Sequence, residues 1–453
     1  MSANLIPSES ACGRLPLQMR GCGMKTGAVL LALVGVSSTA HATPPDIFGY
    51  GPRTQAMGMT GVSYADDYEA VWANPAGLAA SERSGIALGL QAGSFELKLD
   101  GERFPLEAFQ GSTIGFHIPL PFGGPLEDVL AIGAGFFTPS KTVLQTDIIF
   151  PETPQMAILS RSQSVLVQMG LGVNLGRWIP GLRLGAGVSA LANIRGRLLV
   201  RLDETNQFLS QTETQLLASF NPILGAQLDL GDDWSLGLVW RDEVRSDIDL
   251  RIVVENLPVE LPEITITAVP QFDPHTLAAE LAWHPGRHWL AALHLTWRRW
   301  STYPGVVGKT TSHSNLPPAP NFRDTFSPRL GVEYRTTRRR TTGLLRFGYA
   351  YEMTPAPPAR MAPGRDSEGE VRTEDGRTVY LPIRYIDSNR HVLTLGGGTA
   401  YRSPSGLLVR FDLFAQLHRM TKREHLVPAP GRADNMVNEG WIVAAGWALD
   451  LDW

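Results

Sequence analysis

Cysteine is nearly absent from this chain of 453 residues: only Cys12 and Cys22 occur, and both precede the small-x-small triplet Ala40-His41-Ala42. That triplet follows Met24, Lys25 and an apolar run at 28–36, the layout of a secretory signal cleaved after Ala42. The expected mature chain begins at Thr43 and has no cysteine, which excludes disulfides, thiolate metal sites, a cysteine nucleophile and a lipidated N-terminus. Met24 reads as the natural initiator, with residues 1–23 an over-long start; an extended n-region is the alternative.

Long hydrophobic runs are missing too. Although 43% of residues are hydrophobic, no segment after Ala42 approaches the roughly 18 apolar residues a membrane helix needs. Basic charge is not in excess: the net charge is −4, and removing Glu9, Arg14, Arg20 and Lys25 with the leader makes the chain more acidic, so no nucleic acid is expected as partner. There is no Gly-x-Ser-x-Gly elbow. Ser405 and His418 fall on one strand with opposite parity, about 40 Å apart, so they form no catalytic pair and the chain does not read as an enzyme. His284, His288, His294 and His313 lack metal-ligand spacing, and neither metal nor cofactor is expected.

What the chain does have is alternation. Trp441, Val443, Ala445, Trp447, Leu449, Leu451 and Trp453 share one parity at the C-terminus. Successive side chains of a strand point to opposite faces, so one face here is wholly apolar. Leu407, Val409, Phe411, Leu413, Ala415 and Leu417 likewise oppose Arg410, Asp412, Gln416 and His418. The same period predicts strands at 84–97, 111–118, 128–137, 163–176, 181–200, 216–230, 233–250, 275–284, 288–300, 328–336, 341–353, 390–402, 405–418 and 439–453.

That count is fourteen, and the connections alternate in length. Short turns are expected at 176–181, 230–233, 284–288, 335–341 and 402–405; long connections are expected at 138–162, 201–215, 251–274, 301–327, 354–389 and 419–438. Short periplasmic turns and long outer loops are the asymmetry of an outer-membrane barrel, with both termini periplasmic. The expected fold is all-β: a 14-stranded antiparallel transmembrane β-barrel with its apolar face against outer-membrane lipid. Residues 1–42 form the signal, 43–83 an irregular segment before the first strand, and 84–453 the barrel. A monomer is expected.

The irregular segment carries a specific resemblance. Phe48-Gly49-Tyr50-Gly51-Pro52-Arg53, Thr54-Gln55-Ala56-Met57-Gly58, Gly61-Val62, Ala65-Asp66-Asp67 and Asn74-Pro75-Ala76-Gly77-Leu78 resemble the N-terminal hatch of the FadL/TodX family of outer-membrane transporters of hydrophobic compounds. Gly133-Ala134-Gly135-Phe136-Phe137-Thr138-Pro139, residues 297–301 and Asp387-Ser388-Asn389-Arg390-His391 extend the similarity along the chain. The resemblance implies a hatch plugging the lumen and a hydrophobic small-molecule ligand, such as a long-chain fatty acid or an aromatic hydrocarbon. It further implies passive, ligand-gated diffusion with release sideways through the wall.

In that picture Asn74, Pro75, Ala76 and Gly77 are the gating turn, although a plain turn ending the plug explains them as well. The family's wall gap lies at the third strand, where Gly133 and Gly135 offer a bulge, although glycines in barrel strands more often mark plain packing relief. Arg298 and Arg346, on inward parity, are the expected partners of a ligand carboxylate. A structural or secretion-associated scaffold barrel is the competing function.

Overall fold

A computed structural model of the chain describes residues 44–104, 108–140, 144–145, 163–202, 208–255, 264–305, 307–310, 318–366, 369–427 and 434–453. The expected leader and its cleavage site lie outside them. Fourteen wall strands follow one another around a closed sheet. They are β1 (Gly85–Leu99), β2 (Phe109–Pro119), β3 (Leu130–Pro139), β4 (Leu166–Asn174), β5 (Leu182–Leu202), β6 (Phe208–Leu230) and β7 (Trp234–Arg241). The second half comprises β8 (Thr276–Trp283), β9 (Trp289–Arg298), β10 (Thr325–Arg338), β11 (Thr341–Glu352), β12 (Arg390–Arg402), β13 (Leu408–Val427) and β14 (Asp434–Asp452).

Each strand pairs antiparallel with the next, and β14 returns to β1 in register from Asp452↔Gly85 to Asn438↔Leu99. A closed wall has no free edge, so its backbone groups are satisfied without water. Among the described residues no helix is long and apolar enough to cross a membrane; the wall strands are the element suited to it.

Alternation in sequence becomes alternation in burial. On β13, Asp412, Phe414, Gln416 and His418 are buried while Phe411, Leu413 and Leu417 are exposed. Leu293, Leu345, Leu393, Leu395 and Trp447 are likewise exposed with no protein cover, which makes the outer face a lipid-facing band. Trp234, Trp283, Trp289, Tyr334 and Trp453 are exposed near the short turns, with Trp234 and Trp283 stacked at 5.9 Å, as an interfacial aromatic girdle requires.

Three expectations need correction. The seventh strand does not run on to 250: it leaves the wall after Arg241, where Asn221 Nδ2 donates to Glu243 O and Pro222 O accepts from Asp242 N. Val244–Glu255 then pairs with Ile264–Asp273 and runs parallel to the end of β5. Two further long connections are largely strand, because β5 and β6 pair from Leu182↔Leu228 out to Leu202↔Phe208, and β13 and β14 pair out to Val427↔Asp434. Finally, β3 has no bulge. Its ladder is unbroken to β2, from Gly111↔Pro139 to Pro119↔Ala131, and to β4, from Leu130↔Val173 to Phe137↔Leu166.

The glycines at 133 and 135 serve a different purpose, which the segment before β1 explains. Helices α1 (Pro44–Phe48), α2 (Pro52–Ala56) and α3 (Ala70–Ala73) and a 3-10 turn (Pro75–Ala80) pack inside the wall as a hatch. Phe48, Tyr50, Met57, Tyr68 and Leu78 are its buried core. A Cβ on Gly133 would strike Leu78 and Val71, and one on Gly135 would strike Tyr50. The pattern continues around the lumen: Gly185 lies against Ala76, Gly225 against Asn74, Gly237 against Val62, Gly331 against Met57, Gly348 against Gly58 and Gly396 against Ala56. Glycine lets two main chains approach where any side chain would hold them apart. Hatch and wall meet backbone to backbone at Gly185, Gly237, Gly331 and Gly348, while at Gly133, Gly135, Gly225 and Gly396 the missing side chain makes room for one from the hatch.

Gly225→Val puts a branched side chain where Asn74 Oδ1 sits, an overpacking that costs about 1–3 kcal/mol. The expected result is a barrel that keeps its heat-modifiable migration but admits a small hydrophilic dye faster. Unchanged dye entry would show that the hatch is not the seal.

Candidate functional site

A cavity of about 90 Å³ lies between hatch and wall. This is the order of size that takes a small apolar ring and well above the ~10–15 Å³ one water needs. Tyr50, Met59, Val62 and Trp72 of the hatch and Leu166, Ile223 and Ala278 of the wall supply its apolar lining. Gln168, Ser189, His294 and Thr296 supply a few polar groups, the mixture expected of a small-molecule site.

Three arginines reach the same cavity: Arg241, Arg298 and Arg329. Arg298 Nη1 bonds Glu352 Oε2 at 2.8 Å, and Arg329 Nη2 bonds Glu352 Oε1 at 2.8 Å while its Nη1 donates to Met59 O at 2.9 Å. Arg241 differs. Its guanidinium lies 5.3 Å from the Trp72 ring and donates to Trp72 O and Ala73 O, the last carbonyls of α3. Among the described residues no carboxylate pairs with it, and its Nε is buried without a hydrogen-bond partner. Arg241 is thus half-buried and, among the described residues, makes no ion pair, although Asp46, Asp242 and Asp273 line the same cavity, and a ligand of opposite charge would give its guanidinium a partner.

The expected carboxylate partners thus separate. Arg298 is at the cavity but shared with Glu352. Arg346 is not at the cavity: its Nε bonds Glu333 Oε2 at 2.7 Å and its Nη1 bonds Asp412, in a cluster with Arg53 toward the short turns.

The hatch turn is more deeply engaged than its sequence suggests. Asn74 is fully buried, and its Nδ2 lies 2.8 Å from Val62 O, 3.0 Å from Ala226 O on β6 and 3.2 Å from Leu238 O on β7. Its Oδ1 accepts from Ala76 N at 3.1 Å and so caps the 3-10 turn that Pro75 begins. Pro75, Ala76 and Gly77 are buried behind it, beside Gly172 and Gly185. This turn is fastened to β4–β7, with Leu78 reaching Gly133 on β3.

Glu280 on β8 is a second fastening. It accepts from Gly61 N at 2.8 Å, Ser63 N at 2.9 Å and Ser63 Oγ at 2.7 Å, and His294 Nδ1 lies 2.9 Å from it. Further fastenings come from Gln416, which donates to Phe48 O at 2.8 Å, and from Arg410, 3.1 Å from Asp67. Within the hatch, Glu69 accepts from Arg53 N at 3.0 Å and Thr54 N at 2.8 Å at the start of α2. Burial, then the charge of Asp67, pushes the Glu69 carboxyl up to about 8. Arg241 and Glu280 lie on the inward parity of their strands, but parity carries no information on which partner each would find.

No family model matches the chain. Alkane uptake protein A of Marinobacter nauticus is 23% identical over 450 residues, covering 90% of this chain and 91% of that protein. The crystal structure of a Pseudomonas aeruginosa FadL homologue aligns with a TM-score of 0.54 at 14% identity, over 92% of this chain and 99% of that one. The P. putida toluene transporter TodX aligns with a TM-score of 0.55 at 15% identity, over 90% of this chain and 99% of that one. The chain has the FadL/TodX fold. The alignment to both solved barrels spans nearly their whole length.

Two results are expected at the hatch. Glu280→Ala strands the Gly61 and Ser63 N–H groups, at about 1–3 kcal/mol each, and should raise hydrogen exchange at 61–63 by tenfold or more, with Glu280→Gln intermediate. Because the folded hatch favours neutral Glu69, its contribution is present in mild acid and falls as pH rises toward and through about 8. Proteolysis within the hatch should therefore quicken between pH 6 and pH 9, and Glu69→Gln should flatten that dependence.

Proposed function

We propose that this chain is an outer-membrane transporter for hydrophobic small molecules, working as a monomer with both ends and the short turns in the periplasm. The observation that carries the reading is an apolar-lined cavity held between a fitted hatch and a lipid-facing wall. Such a site offers a greasy molecule a low-desolvation path, and the hatch denies water the same path. The names of the relatives, an alkane uptake protein and a toluene transporter, agree with it. Residues 43–83 are the hatch and 84–453 the barrel on this reading.

Arg241 narrows the ligand class. A guanidinium with no ion-pair partner among the described residues, beside an apolar-lined cavity, favours a molecule ending in a carboxylate, such as the head-group end of a fatty acid, over a plain alkane; about 90 Å³ holds that end and not the whole tail. Bound to the carbonyls just before Asn74-Pro75-Ala76-Gly77, it also ties ligand binding to the gating turn. We place release in the wall, because glycine contacts leave little room beside the hatch. A recess of about 350 Å³ on the outer face between β14, β1 and β2 supports that exit; Ala92, Ser94, Ala108 and Ala445 line it, with Phe109 at its floor.

Uptake of a labelled long-chain fatty acid and of a labelled alkane decides both levels. Cells carrying the chain should take up the fatty acid faster than empty-vector cells, and Arg241→Met should lower that uptake about tenfold while sparing the alkane. Equal uptake in all three strains would leave the scaffold function standing. Faster uptake that Arg241→Met leaves unchanged would keep transport and discard the head-group role.

A further inference from the structure

The lumen's short-turn mouth is built unlike the rest of the chain. A second cavity, about 410 Å³, opens there between the β10–β11 and β12–β13 turns, lined by seven arginines and only two aspartates in a chain of net charge −4. Four of the seven are neutralised. Arg53 pairs with Asp66 at 3.0 Å and Glu333 at 3.3 Å, Arg335 with Glu333 at 3.0 Å, Arg346 with Glu333 at 2.7 Å, and Arg410 with Asp67 at 3.1 Å and Asp452 at 3.3 Å.

The rim is different. Arg339, Arg340 and Arg402 are exposed, and among the described residues none of them makes an ion pair. They are nonetheless held together: Arg402 N donates to Arg340 O at 2.9 Å, joining the two turns, and Arg339 sits at φ +55° in a tight left-handed turn. Like charges gathered in this way repel and raise a local positive potential that attracts an anion.

We propose that this mouth is a docking site for an acidic segment of a periplasmic protein, an inference that rests on the short turns facing the periplasm. Three features select that occupant. The cavity is on the lumen side of the wall, lined by the inward-facing Leu344, Ala400 and Asp412; lipid headgroups outside the wall do not reach it. Three guanidiniums spread over two turns match a row of carboxylates better than one phosphate. A neighbouring cavity of about 620 Å³ shares Arg53, Asp66 and Arg335, which gives room for a peptide rather than a single ion.

The test uses the full chain in zwitterionic nanodiscs and a fluorescein-labelled peptide of six glutamates, read by anisotropy. Binding should weaken steeply with salt, drop at least tenfold in the triple variant Arg339→Glu, Arg340→Glu, Arg402→Glu, and persist when the same three become lysine. Heat-modifiable migration checks that each variant is folded. Equal binding by wild type and the charge-reversed triple would overturn the proposal, as would a preference for phosphatidylglycerol vesicles or inorganic phosphate over the peptide. Sidedness is read separately: the chain after Ala42 has no cysteine, so Arg340→Cys should resist an impermeant maleimide on intact cells and react once the outer membrane is opened. Labelling on intact cells would place the mouth outside and overturn the proposal, whatever the uptake assay reports about transport.

Discussion

The ladder between β14 and β1, running without a break from Gly85↔Asp452 to Leu99↔Asn438, makes everything else in this molecule possible. Without it the hairpins would form a ribbon with two long edges of unpaired N–H and C=O groups, each intolerable in lipid. Closure also creates the problem the rest of the structure answers: a cylinder of fourteen strands encloses more space than its own inward side chains fill. An unplugged lumen of that width would be a water channel.

The hatch fills that space, and the manner of filling decides the chemistry available. Where hatch and wall meet at glycine, hatch main chain or a hatch side chain fills the space a wall side chain would take, and water has no place between them. Between those contacts, buried carboxylates on one side find N–H groups or guanidiniums on the other: Glu280 with Gly61 and Ser63, Glu333 with Arg53, Asp67 with Arg410. Burying these charges is tolerable only because each has a partner of good geometry. Against that background Arg241 stands apart. It is half-buried, hatch carbonyls and the Trp72 ring are what meet its guanidinium, and it borders the apolar-lined cavity.

Much of the fold was legible because a strand's facing is a local property. Period two sorted Asp412, Gln416 and His418 inward and Leu413 and Leu417 outward, and burial in the structure follows that sorting. The fourteen strands and the short turns also emerged from local pattern. Strand ends were less legible. Pairing of β5 with β6 runs well past the apolar alternation, since a ladder needs only backbone groups and continues into polar sequence. Gly133 and Gly135 were open to two readings, a bulge or packing relief, for a related reason. A glycine on a strand announces missing volume but not what occupies it; here Leu78, Val71 and Tyr50 do.

The sequence by itself determined the closed β architecture, the lipid-facing surface and the identity of the plugging segment, since each rests on side-chain period or on contiguous motifs. Tertiary structure alone decided which inward charges are spent and which are available. Arg346 and Arg241 share inward parity, but Arg346 meets Glu333 and Asp412 across neighbouring strands while Arg241 meets only the end of a hatch helix far away in sequence. Parity fixes a direction within one strand. The partner waiting there arrives from residues up to hundreds of positions away, and only the closed barrel brings the two together.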